Sequence, residues 1–202
     1  MSTVIIVILI VVISEVAYLI IQNLVQNHVL NAYTKAIESR DLEAALEALD
    51  TKTARFFIPR FNLDYMRFNA YQFANDVENS SRVLDTLLTA NTSKKQRADI
   101  VVRAFYFYLE QDRKDDAKQM LQEIQATGDA ATAKRCTLAW ETLGEGDSSK
   151  IDELAAEYEA SKNRLDRVNL AMLIAAQYSN KGDLESAKAW TDKVGAMTKR
   201  QE

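Results

Sequence analysis

The side chains able to do chemistry are few and far apart. Cys136 is the one cysteine and His28 the one histidine of the 202 residues, so there is no internal disulfide and no zinc ligand set of the usual cysteine and histidine kind. Cys136 stands in mid-helix between Arg135 and Thr137. It is either a reactive thiol or, more simply, a small packing residue. His28 reads as a hydrogen-bonded surface residue. Asp115 and Asp116, and the run Glu153, Glu157 and Glu159, read as solvated helix faces. Gly144-Glu145-Gly146 is too short and too acidic to cradle a phosphate and reads as a turn. No GxxxxGKS/T loop, no GxSxG elbow and no HExxH helix occurs. We therefore expect no catalytic residue, no metal, no cofactor and no small-molecule substrate, and a protein that is not an enzyme.

The elements that would position any binding residues are helices. The chain is 48% hydrophobic with five Gly and one Pro, enough for a continuous core and poor in loop formers. Ala, Leu, Glu, Lys, Asp and Gln dominate, and β-branched runs are confined to the first 25 residues and to Ile100–Val102, so the expected class is all-α. The net charge of −4 is mild and scattered. It provides no clustered basic face for phosphates, and nucleic acid is not an expected partner.

The first 25 residues differ from the rest. Val4 to Ile13 is unbroken apolar sequence, Ser14 and Glu15 interrupt it, and Val16 to Ile21 resume it. About 20 residues of helix cross a bilayer core, so residues 1–25 read as a transmembrane anchor. Met1-Ser2-Thr3 offers neither the basic start nor the cleavage site of a secretory signal, which favours retention. Lys35, Arg40, Lys52 and Arg55 come after the apolar run and no Lys or Arg precedes it. That bias predicts a single-pass membrane protein with a cytoplasmic C-terminal domain. No Gly or Pro separates the anchor from the residues after it, so one rod is expected through Tyr33 and Ile37. Glu15, costly near a bilayer centre by about 2.5 to 3.5 kcal/mol, either contacts a partner helix inside the membrane or is protonated or reaching toward water.

Residues 26–202 are repetitive. Leu170, Leu173, Ile174, Gln177 and Tyr178 fall at three- and four-residue steps, Gly182-Asp183 breaks the pattern, and Leu184, Ala187, Trp190 and Val194 resume it. The same plan recurs around Asp112–Ala117 and Arg40–Ala45, and more faintly around Asn75-Asp76 and Gly144–Asp147, at a spacing of about 34 to 36 residues. The approximate units are 26–54, 58–90, 94–127, 129–161 and 164–198. The aromatic before the turn (Tyr108, Tyr178), the acidic turn, and the small residue opening the second helix (Ala45, Ala117, Ala187) resemble the tetratricopeptide repeat family. The Ala equivalent is Ser80 or Ser81 in the second unit and Ile151 in the fourth, and the Pro that often ends a repeat is missing. The resemblance implies an α-solenoid of antiparallel helix pairs that binds a protein or peptide partner in a concave groove of first helices.

By the same resemblance the groove residues are Leu30 and Thr34; Asn62, Tyr65, Asn69 and Gln72; Asp99, Val102 and Tyr106; Cys136 and Trp140; and Asn169, Met172 and Ala176. Asn and Gln amides would pair with a peptide backbone and the rings would cover apolar side chains. The aromatic segment from Phe56 to Phe73, with Arg55, Arg60 and Arg67, is either core between the first two units or a patch for lipid phosphates. Of Phe105 to Tyr108, four successive rings surrounding one helix, at least one must face a groove or solvent. The expected function is a membrane-anchored, non-catalytic adaptor. The alternative is an accessory subunit docked in a membrane complex through its transmembrane helix.

Overall fold

A low content of Gly and Pro and three- and four-residue apolar spacing leave the chain little but helix to form. The computed structural model describes residues 2–199, and of residues 2–14, 16 and 17 the backbone alone. Its elements are α1 (Ser2–Glu38), α2 (Leu42–Asp50), α3 (Lys52–Phe57), α4 (Arg60–Phe73), α5 (Val77–Thr89), α6 (Lys94–Glu110), α7 (Lys114–Thr127), α8 (Ala130–Ala139), a π-helical turn (Trp140–Gly144), α9 (Ile151–Ala160), α10 (Arg164–Asn180) and α11 (Leu184–Thr198). Among the described residues there is no strand. The chain divides into two compact units, Met1–Ser93 and Lys94–Glu202. Within the first, α1 packs on α2 and α3, and α4 on α2 and α5; within the second, α7 packs on α6 and α8, and α10 on α9 and α11.

Five turns set the rhythm. Among the described residues, positive φ occurs at Arg40 (59°), Asn75 (56°), Asp112 (53°), Gly146 (76°) and Gly182 (83°). These positions are 34 to 37 residues apart, and each lies between the two helices of a pair. At four of them the next backbone N–H donates to the carbonyl five residues back: Asp41 to Ala36, Asp76 to Tyr71, Arg113 to Tyr108 and Asp183 to Tyr178, all at 2.9 to 3.0 Å. This closing bond satisfies carbonyls that the end of a helix leaves free, and it needs one left-handed residue. Asp41, Asp76 and Asp183 then cap the second helix, each carboxylate accepting from the N–H three residues on.

Four residues after each cap comes the position where paired helices touch. Ala45, Ser80, Ala117 and Ala187 occupy it, and all are buried. The second helix pair thus uses Ser80, not Ser81, with its hydroxyl buried and unbonded. In the fourth pair the cap is Lys150, so the equivalent residue is Leu154 (1% exposed), with Ile151 beside it in the core.

Val29, Leu49, Ala54, Ile58 and Leu63 form a core cluster of the first unit. Ile151, Leu154, Tyr158, Leu170, Ala171 and Ile174 form one in the second, where Phe105, Phe107 and Tyr108 of α6 are also buried. Full burial of one such Leu or Ile contributes about 1.5 to 3 kcal/mol, so a handful fixes each pair. The aromatic segment after Phe56 is largely internal. Leu63 and Phe68 are buried and Phe61, Tyr65 and Tyr71 half-buried, while Phe56 and Phe73 are exposed. Its arginines are ion-paired: half-buried Arg67 with Asp50 and Asp64, and the exposed Arg55 and Arg60 with Asp50 and Asp64 respectively. Pro59 caps α4 with the extended backbone that a helix entry tolerates.

The expectation of a single-pass membrane protein is corrected. Among the described residues no helix is long and apolar enough to cross a membrane. The physical reason lies in the second half of α1, which carries Gln22, Asn23, Gln26, Asn27 and His28 and belongs to the first helix pair. Val29 and Ala36 are buried, Gln26 Nε2 donates to the Phe57 carbonyl at 3.1 Å, and the Tyr33 hydroxyl donates to the Met66 carbonyl at 2.9 Å. The side chains of the run Val4–Ile13 lie outside the described residues. Glu15 is exposed, and the reading of it as an intramembrane contact falls with the anchor.

Candidate functional site

Helix α10 shows how one member of a helix pair presents residues outward. Asn163 caps it, its side-chain oxygen accepting from the N–H groups of Leu165 (2.8 Å) and Asp166 (3.3 Å). Leu170, Ala171, Ile174, Ala175 and Gln177 are buried along the inner side. Leu165, Asn169 and Met172, spaced four and three residues apart, share the outer stripe; Leu165 is 67% exposed and Met172 56%. Two large apolar side chains therefore face water with an amide between them.

In α6 the expected division of the four rings is seen. Phe105, Phe107 and Tyr108 are buried, and Tyr106 is 38% exposed. Its phenol neighbours Cys136. Burial, then that neighbour, pushes the phenol up to about 12. Burial also raises the Cys136 thiol, outweighing the lowering effects of Tyr106 and Arg135. A thiol held protonated in the core is a packing group, not a nucleophile.

Trp140 is not at a surface. It is buried at the start of the π-helical turn, its indole N–H donates to Glu145 Oε1 at 2.8 Å, and the Lys118 ammonium lies 5.8 Å from its ring centre. The turn packs against α6, α7, α8 and α10, so Trp140 joins the first helices of the second unit and is closed to a ligand. Cys136 is likewise internal.

In the first unit Asn62 is exposed and Tyr65, Asn69 and Gln72 are half-buried on α4. Their spacing of three, four and three residues keeps them on one side of that helix. Tyr65 stacks on Phe61 with ring centres 6.0 Å apart. Leu30 and Thr34 of α1 are exposed.

The second unit also holds a polar cluster that sequence reasoning misses. Gln177, at a position of apolar spacing, is fully buried. Its Nε2 donates to Thr142 Oγ1 at 3.1 Å, and its Oε1 accepts from the Lys150 N–H at 2.9 Å. Asn180 Nδ2 donates to the carbonyls of Thr142 (2.8 Å) and Asp147 (3.0 Å). Lys150 Nζ pairs with Glu141. The legible signal is Gln177 itself, an amide where the period asks for an aliphatic side chain. Among the described residues no group of His, Cys, Asp and Glu is placed to hold a metal. No protein-family model, curated protein or solved structure matches the chain.

Proposed function

We propose that this protein is a non-catalytic scaffold of tetratricopeptide-like helix pairs that holds a partner protein or peptide against its first helices. The observation carrying this reading is the outer stripe of α10, where Leu165 and Met172 stay exposed on either side of Asn169 although the helix has a full inner core. Exposed apolar side chains flanking an amide suit an extended peptide, whose side chains need apolar cover and whose backbone needs donors and acceptors. Tyr106 offers a partly exposed ring on α6, and Asn62, Tyr65, Asn69 and Gln72 offer a ring and three amides along α4. No nucleic acid, cofactor or small-molecule substrate enters the proposal.

Photocrosslinking tests it. A benzophenone side chain placed at Asn169, Met172 or Tyr106 should yield one adduct of the same mass in cells, and one placed at the exposed Gln119 of α7 should not. Met172→Asp should weaken recovery of that partner about tenfold, a loss of about 1.4 kcal/mol. Adducts of equal yield at Gln119, or none at the three first-helix positions, would falsify the reading.

A further inference from the structure

Cations collect where α9, α10 and α11 meet. The Arg167 guanidinium lies 4.3 Å from the centre of the Tyr158 ring, and the Lys193 ammonium lies 3.5 Å from the Trp190 ring and 5.7 Å from that of Tyr158. Tyr158 and Trp190 meet edge to face at 5.0 Å. Arg164 adds a third cation through its Nε–H, which donates to the Met197 carbonyl at 2.8 Å near the end of α11. Six arginines have carboxylate partners, namely Arg55, Arg60, Arg67, Arg82, Arg97 and Arg113. Among the described residues Arg164, Arg167 and Lys193 are in no ion pair, and the Nε of Arg167 is buried with no acceptor. Three positive charges thus share one junction with no carboxylate in ion-pair contact among the described residues, and one of them has a buried, unbonded N–H.

We propose that this junction is a docking site for an acidic polypeptide segment of a partner protein, whose Asp and Glu carboxylates supply the missing counter-charges of Arg167, Lys193 and Arg164. The aromatic platform holds the cations in place, so little side-chain freedom is lost when a carboxylate arrives. The planar guanidinium of Arg167 suits a two-oxygen acceptor. The same geometry disfavours a nucleic acid. Arg167 and Lys193 sit over the rings on which bases would stack, and three cations make a poor track for a phosphate backbone. The site is distinct from the outer stripe of α10. Arg164 and Arg167 share the side of that helix that carries Ala171 and Ile174, whereas Asn169 and Met172 share the other.

The probe is a fluorescently labelled octaglutamate peptide titrated into the full-length protein at low salt and read by anisotropy. Saturable binding is expected, about tenfold weaker in Arg167→Gln and in Lys193→Gln, less weakened in Arg167→Lys than in Arg167→Gln, and unchanged in Lys188→Gln and Met172→Asp. Lys193 is exposed, so its variant keeps the test valid should Arg167→Gln fail to fold. An octalysine peptide should not bind. Absence of octaglutamate binding to the parent protein, or equal binding by the Lys193→Gln variant, overturns the proposal. So does tighter binding of an oligouridylate of the same charge. Loss of octaglutamate binding in Met172→Asp would merge this site with the α10 stripe and overturn its independence.

Discussion

The turns at Gly182 and Gly146 lie in the same unit, and both use glycine at positive φ, yet they are closed by different means. At Gly182 the backbone suffices: the Asp183 N–H reaches the Tyr178 carbonyl five residues back, and Asp183 caps α11. At Gly146 the returning bond runs from Asp147 to Glu141, six residues back, and the Glu145 N–H bonds Trp140 five back. One extra residue has been absorbed as the π-helical turn. This wider turn, besides its own backbone bonds, is held from outside by α10 through the side chains of Gln177 and Asn180. A helix pair thus tolerates an inserted residue in its turn when a neighbouring helix supplies further hydrogen bonds.

The contrast between the two turns is most exposed at Gln177. Gln177→Leu fits the volume but leaves the Lys150 N–H and the Thr142 hydroxyl without these partners, and should lower the unfolding free energy by about 3 kcal/mol. Equilibrium urea unfolding measures it; a change no larger than that of an exposed control such as Gln119→Leu would mean that the fourth turn stands unaided. Gly144→Ala comes next. Its Cβ would lie 2.7 Å from the Trp140 ring, and because that ring is buried the expected cost is about 2 kcal/mol. A midpoint shift well below that of Gln177→Leu, with tryptophan fluorescence altered, fits a local repacking of the indole. The smallest effect belongs to the self-closing turn. Gly182→Ala meets no atom within 4 Å but must hold φ at 83°, a strain of about 1 kcal/mol. Gly182→Asn should cost less, since Asn75 occupies the matching place in the second pair. If Gly182→Ala cost as much as Gly144→Ala, the two turns would not differ in how they are held.

The acidic caps, the small residue after each turn and the three- and four-residue periodicity are all readable along the chain. They are local: a cap needs a carboxylate three residues from its N–H, and a helix needs its own spacing. Such local rules are enough for the all-helical class and the approximate places of the five turns. Everything else depends on contacts between distant residues. Whether Ser80 or Ser81 fills the second contact position depends on which helix face meets α4, and Leu154 displaces Ile151 because the cap sits at Lys150. Trp140 reads as a groove residue because counting back from a turn assumes an α-helix. The inserted π-helical residue turns the indole inward, toward Lys118 and Glu145. Gln177 reads as a flaw in an apolar stripe until Thr142 and the Lys150 N–H, 35 and 27 residues away, are brought to it. The use of α1 is decided the same way, by the carbonyls that Phe57 and Met66 offer to Gln26 and Tyr33. These points wait on the folded chain, because a buried polar group is stable or costly according to partners that sequence distance hides.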